Sequence, residues 1–260
     1  MRKFNLSLAT FLAFLIFACS AENNNDSQEK NSTKLLLKVT ENNYKANLFF
    51  YNDDLSIDKI EHYVYPENPT KPQNIKYFYY ENGRLDSTAT KTGNNVDLKY
   101  SEKYIYTNNQ LHEIHAQSHY SSGIFEYKIR LFYIDDLVHK IEYYQDDSSL
   151  LLSEQIFEYD GDDNIVKSTY IASHTNNYND GFREYTYDDK NSPYININPM
   201  HLSTQWIGYF KFIPTKNNPT KKVTTSLFNN EVTSEENYTN IYDNDGYLIS
   251  SNKFTYEYNN

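Results

Sequence analysis

Hydrophobic and polar residues alternate with a period of two along most of this chain. Between Tyr127 and Tyr133, every second residue is aromatic or aliphatic, and Lys128 and Arg130 lie between them. Residues 254–258 repeat the pattern with Phe and Tyr alternating against Thr and Glu. This alternation is typical of β-strands with one better-buried face. No stretch after residue 18 shows a helical period, so the sequence predicts an all-β fold.

A short motif of alternating aromatic residues, a polar turn and an aliphatic residue recurs along the chain. Consecutive copies are spaced by 26 to 28 residues, except for a last interval of 55 residues between positions 187 and 242. A weaker copy anchored at Phe212 fits that interval, so we count about eight copies of ~27 residues. The clear copies align on Tyr51, Tyr79, Tyr106, Tyr133, Tyr159, Tyr187 and Tyr242.

The polar turns predict that each copy is a β-hairpin. Pairs such as Asn82-Gly83 and Asn108-Asn109 tolerate the positive φ of tight hairpin turns. Eight hairpins without helical crossovers predict about sixteen strands in an antiparallel meander. The expected fold is therefore all-β, either a curled open sheet or a wide barrel-like one. A mean hydropathy of -0.80 and charged strand faces argue against a sheet that faces lipid.

The N-terminus resembles a bacterial lipoprotein signal. Arg2 and Lys3 precede an apolar run, and Ile16 to Cys19 resembles a lipobox, so we interpret residues 1–18 as a signal peptide. In lipoproteins the cysteine is lipidated and becomes the mature N-terminus, which anchors the protein without spanning the membrane. Cys19 is the only cysteine. The alternative is an ordinary signal peptide with an unmodified thiol.

Residues 19–33 predict a lipidated cysteine followed by a disordered tether. Positions 20–33 hold no apolar residue larger than Ala21, so they cannot bury enough surface to fold. Fully extended, the tether reaches on the order of 50 Å. Glu22 and Asp26 give a partial match to the acidic surface-export signal of Bacteroidetes lipoproteins. Residues 34–260 form the expected single β-repeat domain.

The charge excludes some partners. The formal charge is -11, and removal of Arg2 and Lys3 leaves 22 basic and 35 acidic residues, or -13. This excess of acid argues against a nucleic-acid partner and against adhesion to an anionic membrane through charge alone.

Two stretches strengthen the repeat interpretation through a resemblance. YTYDDKNSPY, Tyr185 to Tyr194, and NNPTKKV, Asn217 to Val223, are similar to uncharacterised Bacteroidetes lipoproteins, and the copies resemble YD-type repeats of exported bacterial proteins. The resemblance implies an all-β repeat fold in the envelope, lipid-anchored at the outer membrane and either surface-exposed or facing the periplasm. It implies no reaction.

No metal site or cofactor is expected. Asp243-Asn244-Asp245-Gly246 lacks the spacing of a calcium loop and predicts a hairpin turn, although weak calcium binding by exposed acidic turns stays open. His112 and His115 fall on opposite faces of a strand. His115 and His119 share a face but lie ~13 Å apart, too far for one zinc ion.

No catalytic signature is present, so we expect a protein that is not an enzyme. The chain has no Gly-x-Ser-x-Gly, His-Glu-x-x-His or phosphate-binding glycine loop. A hydrolase with an unrecognised carboxylate pair is the less favoured alternative.

The candidate ligand-binding residues lie in the irregular stretch 191–212. They are Trp206, the only tryptophan, with Tyr194, Tyr209 and Phe210. Loops that interrupt a regular scaffold often carry function, and aromatic faces suit sugars. Alternatively, Trp206 caps one end of the sheet. The favoured hypothesis is a non-catalytic module that binds a glycan or an envelope protein. Its rival is a structural spacer that pairs through a sheet edge.

Overall fold

The computed structural model describes residues 34–42, 44–64, 71–93, 97–145, 150–173, 180–197 and 215–259. These residues form one antiparallel sheet of seventeen strands, which confirms the all-β meander. The described part of the chain contains no helix of the length and hydropathy needed to cross a membrane. The strands are β1 Leu36–Glu41, β2 Lys45–Tyr51, β3 Ile57–Val64, β4 Asn74–Glu81, β5 Arg84–Thr92, β6 Leu98–Thr107, β7 Gln110–Tyr120, β8 Gly123–Ile134, β9 Leu137–Gln145, β10 Leu151–Tyr159, β11 Ile165–Ala172, β12 Gly181–Asn191, β13 Asn217–Ser226, β14 Val232–Asn237, β15 Asn240–Tyr242, β16 Leu248–Ser251 and β17 Phe254–Tyr258.

The sheet is curled but open. Consecutive strands pair from β1 to β14 and from β15 to β17, and β17 also pairs with β1. The spatial order therefore runs from β14 back to β1 and on to β17, β16 and β15. The two edge strands, β14 and β15, are joined through Tyr238 and Thr239. Since no ladder among the described strands links β14 to β15, the curled open sheet is the form adopted.

The connections fall at two ends of the sheet because neighbouring strands are antiparallel. We call one end the turn end; it carries the β2–β3, β4–β5, β6–β7, β8–β9, β10–β11, β12–β13 and β15–β16 connections. The opposite end is the tip end, which includes the β1–β2, β7–β8, β13–β14 and β16–β17 connections.

At the turn end, six tyrosine hydroxyls of the described strands each tie one pair of strands to the pair before it. A tyrosine at or near the end of a strand donates to the carbonyl of a residue at or near the start of a strand in the preceding hairpin, at 2.7–3.0 Å. A buried phenol needs such a partner, so the bond fixes the spacing between hairpins. The pairs are Tyr51 with Leu36, Tyr80 with Ile57, Tyr106 with Leu85, Tyr159 with Val138, Tyr187 with Ile165, and Tyr258 with Leu248.

These bonds correct the anchor of the second repeat. Tyr80, not Tyr79, occupies the anchor position, since it pairs with Leu85 and donates to Ile57. Tyr79 lies on the outer face and is 46% exposed. With aromatic residues at three successive positions from 78 to 80, sequence alone does not show which tyrosine faces inward.

The first and last strands form an eighth antiparallel pair, in the position that a hairpin would occupy. Leu36 of β1 pairs with Tyr258 of β17. The Leu36 carbonyl accepts from the Tyr51 hydroxyl, as the carbonyl of a residue just after a turn does in the hairpins. The expected copy at Phe212 lies outside the described residues. Because β13 pairs directly with β12, no other strand separates them in the sheet.

The shortest turns have the backbone that their residues predict. Asn82-Gly83, Asn108-Asn109 and Asp135-Asp136 all have positive φ at both positions. This is the type I′ geometry whose twist matches that of the flanking strands.

Longer turns of five residues share a second design. In the turns beginning at Asp160 and Asp243, the first carboxylate accepts from the backbone N–H groups two and four residues later. The fourth residue of each five-residue turn has positive φ. It is Leu55 in the β2–β3 turn, Asp163 in the β10–β11 turn and Gly246 in the β15–β16 turn. The interpretation of Asp243 to Gly246 as a hairpin turn is therefore confirmed.

The inner face is not uniformly apolar. Phe78, Ile114, Leu131 and Ile141 belong to one buried cluster. A polar group lies among them: buried Glu102 accepts from Lys76 Nζ at 3.0 Å, from Thr88 at 2.6 Å and from Tyr104 at 2.9 Å. A buried ion pair of this kind requires all its partners, because removing one leaves an uncompensated charge.

We predict that Tyr159→Phe destabilises the domain. The change leaves the Val138 carbonyl without its 2.7 Å donor, so the free energy of unfolding should fall by about 1–2 kcal/mol. Tyr79→Phe on the outer face is the matched control and should change it by less than about 0.5 kcal/mol. Urea denaturation measures both. Equal effects would show that the hydroxyl ties are dispensable.

We also predict that Leu55→Gly stabilises the domain. Leu55 has φ of 67° and is 53% exposed, so its side chain gains little from burial while its backbone is strained. Glycine removes that strain, as Gly246 does in the equivalent turn, and should raise the free energy of unfolding by about 1 kcal/mol. Gly246→Ala should act in the opposite direction. A lower thermal midpoint for Leu55→Gly contradicts the argument.

Candidate functional site

The residues expected to bind a ligand divide into two groups. Trp206, Tyr209 and Phe210 lie outside the described residues, as does Cys19. Tyr194 follows β12, and its ring packs edge-on against Tyr256, with centroids 6.4 Å apart. Burial raises the pKa of the Tyr194 hydroxyl well above its usual value. The structure thus gives Tyr194 a packing role beside the core and not an open stacking face.

A cavity of about 590 Å³ opens beside this stretch at the turn end. Its walls are the β10–β11 turn, the second half of β12 and the start of β13, so it lies at the base of the connection that contains Trp206. The lining residues are Asp160, Asp162, Asn164, Val166, Tyr185, Thr186, Tyr187, Asp188, Asp189, Asn191, Lys216 and Asn217.

Asparagine side chains hold the end of β12 against β13. Asn217 and Asn218 donate Nδ2 to the Lys190 carbonyl at 3.1 Å, and Asn218 also donates to the Asn191 carbonyl. Pro219 follows and has no N–H for the ladder, which shifts register there. The Asn-Asn-Pro stretch therefore replaces a regular ladder with side-chain bonds and fixes one wall of the cavity.

Asp188 connects three strands beneath the cavity. Its Oδ1 accepts from the Asn218 backbone N–H at 3.2 Å, and its Oδ2 accepts from Asn240 Nδ2 at 3.1 Å and from the Tyr242 hydroxyl. Burial and the adjacent Asp188 carboxylate raise the pKa of Tyr242, which keeps the phenol protonated as a donor. Both oxygens are thus engaged with the scaffold.

Asp160 is also committed to the scaffold. Burial alone would raise the pKa of its carboxyl, but hydrogen bonds from Asn164 and from the Asp162 N–H outweigh burial and hold that pKa below its usual value. Asn164 is buried and exchanges two 2.9 Å bonds with Asn217 across the cavity floor. These contacts stiffen the wall without offering a group to a ligand.

The groups that face solvent are a second pair of carboxylates. The side chains of Asp162 and Asp189 are 74% and 85% exposed, with Lys216 at 3.8 Å from the first and Lys190 at 3.3 Å from the second. They offer hydrogen-bond acceptors beside ammonium donors. Such a rim can bind a polyhydroxylated molecule, whose hydroxyls both donate and accept.

The residues considered as metal ligands in the sequence make structural contacts instead. Asp243 accepts from the N–H groups of Asp245 and Tyr247, and its Oδ2 binds Lys34 Nζ at 2.9 Å. His115 lies on the outer face of β7 beside Glu113. In the described ranges, no three or more His, Cys, Asp or Glu side chains are grouped so as to hold a metal ion.

Comparison with known proteins shows the fold alone. No protein-family model and no curated protein matches the chain. A porin-like protein from Bacteroides uniformis superposes with a TM-score of 0.54 at 12% identity, covering 87% of this chain and 94% of that one. A porin-like protein from Bacteroides vulgatus gives the same TM-score and identity, covering 86% and 99%.

The sequence did not reveal the cavity. Its walls come from positions 160–166, 185–191 and 216–217, and only the pairing of β11, β12 and β13 brings them together. The one signal was that the two stretches quoted for the resemblance, Tyr185 to Tyr194 and Asn217 to Val223, supply most of these residues.

We predict different roles for two adjacent aspartates. Asp188→Ala removes an acceptor shared by Asn218, Asn240 and Tyr242, so the free energy of unfolding should fall by about 2–3 kcal/mol. Asp189→Ala changes an exposed side chain and should have an effect below about 0.5 kcal/mol. Chemical denaturation of the two variants decides; a stable Asp188→Ala protein would refute the scaffold role.

Proposed function

We propose that this protein is a lipid-anchored envelope protein of the bacterial outer membrane and a non-catalytic glycan-binding module. One observation carries the binding proposal: a polar cavity at the turn end lies at the base of the connection that holds the only tryptophan. Its volume of about 590 Å³ falls in the range of small-ligand sites and suits a short stretch of sugar rings.

The carboxylates at the cavity have two different roles, and this difference supports ligand binding. Asp160 and Asp188 fix the walls, while Asp162 and Asp189 remain at the rim with Lys190 and Lys216. A rigid wall with exposed polar groups can hold sugar hydroxyls without distortion of the scaffold. Trp206 would supply the apolar face of the sugar with a stacking surface.

Two observations support the envelope location. Ile16 to Cys19 resembles a lipobox, and two solved proteins of Bacteroides that share the fold are described as porin-like. Residues 19–33 would then link the lipid to the β-repeat domain.

The structural-spacer alternative finds less support. Its requirement is a sheet edge that accepts another strand, and the edge strand β14 has only six residues. A bulge shifts the register between Thr224 and Thr225, and Glu235 and Glu236 add charge along the edge. Short length, bulges and charge are the features that protect edges from pairing.

A hydrolase also finds less support. A catalytic acid at neutral pH requires a carboxyl whose pKa is raised. Asp160, which lines the cavity, has its pKa lowered instead by the N–H groups of Asn164 and Asp162. We therefore propose binding without turnover.

A glycan array tests the proposal, followed by titration with the oligosaccharide that binds. We expect Asp162→Ala together with Asp189→Ala to weaken binding at least tenfold, since each lost charged hydrogen bond is worth about 1.5–3 kcal/mol. Asp53→Ala, exposed in another turn, is the matched control. The single Trp206 should change its fluorescence on binding. Absence of any array signal, or equal binding by all variants, contradicts the proposal.

A further inference from the structure

The two ends of the sheet differ sharply in charge. Acidic residues crowd the turns of the turn end, where basic residues such as Arg84 and Lys216 are few. The turn end therefore carries a strong negative potential. Its acidic turn residues are Asp53, Asp54, Glu81, Asp135, Asp136, Asp160, Asp162, Asp163, Asp188, Asp189, Asp243 and Asp245.

Two hairpins at the tip end instead expose apolar side chains. At the β7–β8 tip, Tyr120 is 58% exposed, Ile124 57% and Phe125 45%, and the two aromatic rings are in edge contact at 5.5 Å. Exposed clusters of large apolar side chains mark interaction surfaces. At the β13–β14 tip the exposed residues are Leu227, Phe228 and Val232.

Charge at the tip end is close to balanced among the described residues. Lys45 and Lys253 both pair with Glu41 next to the β1–β2 and β16–β17 tips. Lys99 and Asp97 stand near the start of β6. An anionic surface would therefore repel the turn end but not the tip end.

The tether, residues 20–33, joins the domain at the turn end. It is nevertheless long enough to reach the tip end. Lys34, where the described chain begins, is held at the turn end by Asp243 at 2.9 Å and Asp245 at 2.6 Å. Fourteen residues, 20–33, lie between it and Cys19, with a reach of about 50 Å. The longest strand, β8, has 12 residues and spans about 40 Å.

We propose that the tip end of the domain lies against the lipid surface, with the side chains of the β7–β8 and β13–β14 tips in the headgroup region. This inference rests on the lipid anchor of the proposed function and is independent of the glycan site. A flat lipid surface reaches apolar residues on separate hairpins, which a single peptide does not. Tyrosine and phenylalanine suit the membrane interface. The acidic turn end and its cavity then face away from the membrane.

The test uses the anchored full chain in phosphatidylcholine vesicles. Lipidation leaves no free thiol, so Ser122→Cys at the β7–β8 tip gives a single site for a nitroxide label. Thr107→Cys, exposed at the turn end, is the matched site. We expect the ratio of oxygen accessibility to nickel-chelate accessibility to be several-fold higher at 122 than at 107. Equal ratios, or a higher ratio at 107, overturn the inference.

Variants identify the residues responsible. In the Ser122→Cys background, Tyr120, Ile124 and Phe125 changed together to Ser should lower the ratio to that of the turn-end label. Ile134→Ser, an exposed apolar residue beside acidic Asp135, should leave it unchanged. Denaturation curves show whether each variant is folded. If the triple variant unfolds, Ile124→Ser alone is used, and an unchanged ratio contradicts the proposal.

Two further outcomes separate the hypotheses. If the anchored protein floats with vesicles while the 122 label stays aqueous, the anchor stands and the tip contact is wrong. If that label becomes shielded only in native membranes, the tips bind a protein, and the lipid contact is wrong. If the chain fails to float and Cys19→Ala changes nothing, the lipid anchor itself fails, and the tip inference with it.

Discussion

The hydrogen bond from a tyrosine hydroxyl to the carbonyl of the preceding hairpin is the contact on which the fold depends. A sheet this rich in tyrosine must either expose its phenols or satisfy them, and burial without a partner is costly. The bond from Tyr106 to Leu85 solves this locally and reinforces the ladder between two neighbouring hairpins. Repetition of the bond sets a constant offset between neighbours. The series continues where the two ends of the chain meet, because β17 pairs with β1 and both Tyr258 and Tyr51 make the same bond.

The same contact explains which parts of the structure could be predicted. Strands and turns follow from local rules, since alternation identifies strands and Asn-Gly or Asp-Asp pairs have the positive φ that type I′ turns require. The choice of Tyr80 over Tyr79 depends on register, which is set by pairing with β5. The pairing of β17 with β1 brings Tyr258 opposite Leu36, and no local sequence pattern connects residues so far apart in the chain. The cavity arises in the same way, from three strands brought together by the sheet.

Turn chemistry also accounts for the charge of the turn end. Asp and Asn occupy these positions because their side chains accept backbone N–H groups and because they tolerate positive φ. Asp160 and Asp243 show the first use in equivalent turns, and Asp163 shows the second. An acidic end is thus a consequence of building many five-residue and two-residue turns on one side, and acidity alone does not mark a cation site. What needs a separate explanation is a carboxylate without a structural task, such as Asp162 or Asp189.

Those two residues lie where the repeat is broken. Every other turn-end connection is short, whereas residues 192–216 separate β12 from β13. The scaffold compensates for the break with side-chain bonds from Asn217, Asn218 and Asp188, so that the interrupted hairpin stays in register with its neighbours. A repeat protein gains nothing in stability from such an interruption, because a longer connection costs closure entropy and forfeits the short turn. These bonds are the means by which a regular sheet carries a long connection, and they direct the search for function to that connection and the cavity at its base.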